Sequence, residues 1–356
     1  MFTLTAIGVV MTYSASAVWA DQNFHSSTYF LRRQILYVGI GSLMFFLSSY
    51  VDPDFLRRHS RFLISIAIVL LVIIFFPVVG RSAYGARRWI RLPFFSFQPV
   101  EYAKLTMCVY LSDYLSRKRE QITEGSLTVF FAPFAILFLI FALVIAQPDL
   151  GSCIFLFLLT GILFFLSGIR FRYILFVTIA AVLVLIVLVW KEPYRMNRIT
   201  AFLNPWKDPL KGGYQIIQSF IAFGLGGIKG VGLGRSTQKL FYLPQSHTDF
   251  IFSIIAEELG LIGAMTVVGL YIIFFFFGTR LALRCYDPFL KFLAFSLVIF
   301  ITLQALINLL VVVGLVPTKG LPLPFVSYGG TALVFHMISV GLLVAIDKHS
   351  NRFSSQ

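Results

Sequence analysis

His247 and Asp249 stand where a polar segment, Leu243-Pro244-Gln245-Ser246-His247-Thr248-Asp249, runs into the strongly apolar stretch that opens with Phe250-Ile251-Phe252. A carboxylate at that boundary lies between water and hydrocarbon, where charge is costly and where acids are functional candidates by default. A lone carboxylate beside a histidine and a basic segment suits general-base work on a hydroxyl nucleophile. The reaction it suits has a leaving group that is already anionic and needs cations rather than an acid. No Ser/His/Asp order can be built around it. The competing reading gives Asp249 a helix-capping or other structural role.

Other polar groups fall inside apolar surroundings. Glu101 and Lys104 open one apolar segment behind Pro99, which suits a first helical turn. Three residues apart, they share a helix face, either as a structural ion pair or as the lining of a cavity that tunes an acid elsewhere. Glu257 and Glu258 follow Asp249 by about two helical turns and point in different directions, so one can face a cavity while the other needs a partner. Asp149, in Gln147-Pro148-Asp149-Leu150-Gly151, reads as a turn residue bonding its own backbone. Asp113 falls near a helix end, where it would simply face the cytoplasm. His247, Glu257 and Ser327 complete the candidates; Ser327 sits in a rigid loop with Pro317, Pro322 and Pro324 that is structurally specific and chemically silent.

Cations are plentiful. The chain carries a formal net charge of +14, although only 12% of its 356 residues are charged and 58% are hydrophobic. A soluble domain carries about 25% charge. A mean hydropathy of +0.88 and recurrent apolar runs exclude a soluble fold and predict an all-α polytopic membrane protein. Ten spans are expected, at about residues 2–18, 33–50, 61–80, 99–115, 127–146, 152–168, 172–190, 250–278, 292–315 and 330–347. They form a single domain over 1–356, with one long polar loop over 191–249. The first run has no positive leader and reads as a transmembrane helix, although Ala15-Ser16-Ala17 imitates a cleavage site. Arg57, Arg58, Arg61, Arg117, Lys118, Arg119, Arg170 and Arg172 follow alternate spans, which puts them and both termini in the cytoplasm.

The opposite, external face is basic too. Arg81, Arg87, Arg88 and Arg91 lie in one of its loops, Arg195, Arg198, Lys207, Lys211, Lys229, Arg235 and Lys239 in another, and Lys319 in a third. Headgroup contact or a solvated loop face accounts for them; so does a surface for an anionic, phosphorylated substrate, with Arg88, Arg198 and Lys239 as its candidates. The glycines at 224, 226, 227, 230, 232 and 234 fit neither a P-loop nor a dinucleotide fingerprint, and a flexible or tightly turned loop suits them better. The three cysteines are too few for a disulfide framework, no zinc-ligand spacing occurs, and no basic soluble domain exists to bind nucleic acid.

Several of these pieces together resemble the SEDS family (shape, elongation, division and sporulation), whose members include RodA and FtsW. They are Tyr13-Ser14-Ala15-Ser16, Arg88-Trp89-Ile90, Phe97-Gln98-Pro99-Val100-Glu101, Gln147-Pro148-Asp149-Leu150-Gly151, Arg198-Ile199 with Phe202-Leu203-Asn204-Pro205, Tyr214-Gln215, the segment Leu243–Phe252, Glu257-Glu258-Leu259-Gly260 and Pro324-Phe325-Val326-Ser327-Tyr328-Gly329-Gly330. The resemblance covers nearly the whole chain, and Gln238-Lys239-Leu240-Phe241-Tyr242-Leu243-Pro244 is closer to the FtsW, division-type branch. It departs at Val100, where the family carries a small polar residue, and in a short amino terminus that would lack the cytoplasmic extension of relatives.

The resemblance implies a glycosyltransferase that polymerises lipid II into peptidoglycan on the outer face of the bacterial cytoplasmic membrane. It also implies a class B penicillin-binding protein as partner and an essential acid at Asp249, with Glu101 and Lys104 at further functional positions. Arg88, Arg198, Lys239 or a divalent cation such as Mg or Mn would then stabilise the undecaprenyl pyrophosphate that leaves. A flippase for a lipid-linked cell-wall precursor is the alternative, and would need a polar path to both faces. A non-catalytic scaffold is a third reading, and an ion channel the least suited, for want of a filter-like repeat.

Overall fold

Runs of Leu, Ile, Val and Phe without charge must satisfy their backbone hydrogen bonds within one segment, and here each folds as a helix. The computed structural model describes residues 1–76, 80–83, 86–91, 96–123, 131, 133–190, 192–210 and 212–354. In chain order the helices are α1 (Phe2–Phe24), α2 (Tyr29–Ser48), α3 (Pro53–Arg58), α4 (Ser60–Ile73), α5 (Pro99–Arg117), α6 (Arg119–Thr123), α7 (Phe134–Ala146), α8 (Leu150–Leu166), α9 (Phe171–Trp190), α10 (Pro193–Leu203), α11 (Tyr214–Gly226), α12 (Ile251–Arg284), α13 (Pro288–Val312) and α14 (Gly330–Ser354). Among the described residues, α1, α2, α12, α13 and α14 are long and apolar enough to cross a membrane, and α4, α7, α8 and α9 are shorter apolar helices. The protein is a polytopic helical membrane protein.

The segments differ from expectation at their ends. The third was expected to reach residue 80, but α4 stops at Ile73, and Phe75 and Phe76 continue the apolar run beyond the helix. Strands β1 (Gly80–Ala83), β2 (Ala86–Arg91) and β3 (Ser96–Phe97) then form a small antiparallel sheet, a departure from an all-α chain. Hydropathy marks where a chain is apolar, not where its helix ends. The start of the fifth segment, the side chain of Arg195 and the whole of Lys211 lie outside the described residues. The polar stretch 191–249 carries α10, a 3-10 turn at Pro205–Lys207 and α11.

The chain forms two compact units. One contains residues 39–176, 274–303 and 330–356. Its central element is α5, on which α4, α8 and α14 all pack. Of the 19 residues of α5, 15 are buried, so its polar side chains must find partners inside the protein. Asp113 does so: instead of facing the cytoplasm it is buried, accepts from the Ser60 hydroxyl and forms a 2.8 Å ion pair with Arg117 one turn along the helix. At the start of α8, Asp149 caps the helix by accepting from the Ser152 backbone N–H at 3.2 Å and its hydroxyl at 2.8 Å.

The other unit contains residues 1–38, 177–273 and 304–329. Its defining feature is a break in α12 at Gly260, where φ is 66° and ψ is −164°. A broken helix inside a membrane protein frees backbone groups that something must satisfy. Here the glycine-rich segment does it. Val231 N–H donates to the Glu257 carbonyl and Gly232 N–H to the Glu258 carbonyl, both at 3.0 Å, while Leu261 N–H donates to the Gly227 carbonyl at 2.9 Å. A Cβ on Gly260 would lie 2.3 Å from the Gly230 nitrogen, and one on Gly230 would lie 2.2 Å from the Glu258 carbonyl oxygen. The glycines are there for contact between two backbones.

Candidate functional site

Asp249 ends the turn that leads into α12. Gln245 reverses the chain with φ at 61°, and its carbonyl accepts from Thr248 N–H at 3.1 Å and Phe250 N–H at 3.3 Å. Three side chains then tie this turn and the proline-rich loop 317–328 together. Ser327 donates its hydroxyl to the Thr248 carbonyl at 2.5 Å and accepts from Leu323 N–H at 2.8 Å. Asn308, on α13, donates from one amide nitrogen to the carbonyls of Asp249 and Leu321, both at 2.8 Å. Gln304, one turn earlier, donates to the Pro322 carbonyl at 2.9 Å. The Asp249 side chain is half-buried, and its Oδ2 would lie 3.1 Å from a Cβ built on Gly320. A side chain at that position would make the carboxylate give by a few tenths of an ångström. From α10, Arg198 reaches the same loop and donates to the Thr318 carbonyl at 3.0 Å.

His247 packs among rings, with centroids of Phe30 at 4.6 Å, Trp19 at 5.9 Å and Tyr328 at 6.0 Å, and its carbonyl accepts from Tyr328 N–H at 3.0 Å. Desolvation lowers its pKa from 6.5 to about 4, so the imidazole is neutral at pH 7. It packs the turn that carries Asp249 and supplies no cation.

Lys239 and Glu257 belong to a second cluster in this unit. Lys239 Nζ is 2.8 Å from Glu258 Oε1, with side-chain exposures of 7% and 0%. The Ser14 hydroxyl is 2.7 Å from both Glu258 oxygens, and Lys239 also donates to it at 3.1 Å. Glu257 accepts from the Ser236 hydroxyl, from the Thr237 hydroxyl at 2.9 Å and from Thr237 N–H at 2.8 Å. Both glutamate side chains are buried. They anchor the segment 236–239 beside the break in α12, and the Lys239 ammonium is neutralised by Glu258.

The remaining candidates lie in the unit built on α5. Lys104 Nζ is 2.7 Å from Glu101 Oε1, both side chains are buried, and the ammonium sits 4.9 Å above the Phe155 ring. Glu101 Oε2 is buried with no hydrogen-bond partner among the described residues. Arg88 donates to the Gln147 carbonyl at 3.2 Å and to the Pro148 carbonyl, with the Asp149 carboxylate 3.9 Å away. Among the described residues, the one group of three side chains with metal-ligand geometry is Asp52, Asp54 and His349, also in this unit. Asp249 lies outside that group.

A family model described as a cell cycle protein, FtsW/RodA/SpoVE, matches residues 1–352. The chain belongs to this family. The FtsW/RodA/SpoVE relatives include the probable peptidoglycan glycosyltransferase FtsW of Geobacter metallireducens, 43% identical over 344 residues, 96% of this chain and 91% of the relative. Stage V sporulation protein E of Bacillus subtilis is 42% identical and covers 98% of this chain and 94% of its own. Among solved structures of this fold, a peptidoglycan synthase complex that coordinates polymerization and crosslinking superposes with a TM-score of 0.79 at 27% identity, covering 98% of this chain and 96% of that one. The RodA of Thermus thermophilus shares the fold with a TM-score of 0.71 at 24% identity.

Asn308, Gly320, Gln304 and Ser14 are the site residues that sequence reading missed as such. Asn308 and Gln304 had a legible signal, two amides one turn apart in an otherwise apolar helix, where each unpaired polar group is expensive.

Proposed function

We propose that this chain is a peptidoglycan glycosyltransferase that polymerises lipid II at the outer face of the bacterial cytoplasmic membrane, with both termini in the cytoplasm and a class B penicillin-binding protein as its partner. The observation that carries the reading is the fixed, half-buried carboxylate of Asp249, held between the 245–250 turn and a proline-rich loop to which Arg198 is attached. FtsW and SpoVE relatives at 42–43% identity support the enzyme class and the division-type branch. The synthase complex of the same fold supports a partner.

In the proposed reaction the acceptor sugar hydroxyl attacks the anomeric carbon of the donor, and Asp249 takes the hydroxyl proton as the new C–O bond forms. The bond to undecaprenyl pyrophosphate breaks, its oxygen keeps the electron pair, and configuration at the anomeric carbon inverts. The pyrophosphate is already anionic and needs no proton. Arg198 supplies positive charge beside the same loop. Lys239 is given no part, because its charge is consumed by Glu258, and no step is assigned to Glu101, Lys104, Arg88 or a metal ion.

Labelled lipid II and purified protein test this, alone and with the penicillin-binding protein. Asp249→Asn keeps shape and volume and should lower polymerisation by about 10²–10⁴-fold, the range for loss of a general base. Normal glycan chains from folded Asp249→Asn protein would overturn the assignment. Lipid II crossing vesicle membranes, with no chains formed by the wild type, would support the flippase reading instead.

A further inference from the structure

We propose that Asn308 is the positioning residue of Asp249: its single amide nitrogen fixes the acid against Gly320. The inference rests on the catalytic reading of Asp249.

Asn308 is 2% exposed, within a helix that is apolar over most of its length. Its Nδ2 has two hydrogens, and both are used at 2.8 Å, one on the Asp249 carbonyl and one on the Leu321 carbonyl. Its Oδ1 is buried without a hydrogen-bond partner among the described residues. A buried acceptor left unmade is costly, so the amide is not a neutral filler; its two donors are what the site uses. The Leu321 end is itself tight, because Leu321 N–H donates to the Lys319 carbonyl at 2.9 Å, with Gly320 between them. One side chain therefore sets the spacing between the backbone of Asp249 and the loop against which its carboxylate rests, 3.1 Å from the Cβ position of Gly320. Gln304 holds the same loop through the Pro322 carbonyl, and Ser327 holds the Thr248 carbonyl. Asn308 joins the backbone of Asp249 itself to the loop. A general base works at hydrogen-bond reach of its proton, and a misplacement of about 1 Å costs about 10²-fold, in turnover more than in substrate binding.

The test is lipid II polymerisation per folded molecule, with kcat and KM measured separately. Asn308→Leu keeps the volume and removes both donors; kcat should fall at least about 10-fold with KM changed less than about 3-fold. Gly320→Ala approaches the same carboxylate from the other side. Its φ is ordinary and the fold is kept, but the methyl forces Oδ2 to move, and the same kcat-selective loss is expected. Gln304→Met should lower thermal stability without that selective loss. Should Asn308→Leu fail to fold, Gly320→Ala decides. Wild-type kcat in folded Asn308→Leu, or in Gly320→Ala, would overturn the positioning role. So would equal losses in all three variants, which mark a loop held together and nothing more. Wild-type rates in Asp249→Asn would instead overturn the parent reading, so the two failures are separable.

Discussion

Replacing Lys239 with methionine separates a structural cation from a substrate-binding one. The side chain keeps most of its stem and loses its ammonium, which leaves the Glu258 carboxylate, 0% exposed, with the Ser14 hydroxyl at 2.7 Å and a long 3.4 Å contact from Ser236 N–H. Removing one member of a buried pair costs about 3–5 kcal/mol, because the other charge is left without its counter-ion. Removing both charges in Lys239→Met/Glu258→Gln leaves a neutral amide that still accepts from Ser14. The double variant should therefore be more stable than Lys239→Met, with a coupling of about 2 kcal/mol or more. The assay is reversible unfolding in mixed micelles for the two single variants, the double and the wild type, alongside lipid II titrations of initial rate per folded molecule. The pair reading expects a large loss of stability, partial recovery in the double variant and a KM near wild type. A Lys239→Met protein as stable as wild type but with KM raised about 10-fold or more would refute it, and would return Lys239 to the pyrophosphate surface.

The remaining predictions concern the helix break and the histidine. Gly260→Ala and Gly230→Ala each place a methyl within 2.3 Å of backbone atoms at a positive φ, and each should cost upwards of about 3 kcal/mol, read as early unfolding and protease sensitivity. Gly224→Ala, with open space at its Cβ and a helical position, should be neutral or stabilise by up to about 1 kcal/mol; equal behaviour of all three glycines would refute the docking of backbone on backbone. His247 binds its proton less readily in the folded chain, at about 4 against 6.5, so the unfolded state takes up protons first as pH falls. Above pH 6.5 there is no effect; between 6.5 and 4 stability should drop by on the order of 3 kcal/mol, and His247→Phe should flatten that limb in melts at pH 7.5 and 4.5.

Which of these features could be read from the sequence depends on where each side chain finds its partner. The spans are legible because a membrane demands long apolar runs, and Asp249 is legible because it breaks that rule at a boundary. Gly260 is not, since Leu259-Gly260-Leu261 reads as unbroken helix until the partner backbone at 227–232 is known. The glycine run is legible as a tight turn, but not as the other half of a broken helix some thirty residues on. Cations are the least legible of all. Lys239 and Arg198 are equivalent as letters in a basic polar stretch, yet Lys239 is neutralised by Glu258, a partner 19 positions away, while Arg198 donates to the Thr318 carbonyl, 120 positions away. Counting the external lysines and arginines therefore overstates the surface available to a pyrophosphate. Arg198 reaches the loop that carries Gly320 through the Thr318 carbonyl, and Arg198→Gln should raise the KM for lipid II in initial-rate titrations while leaving the melting temperature near that of the wild type.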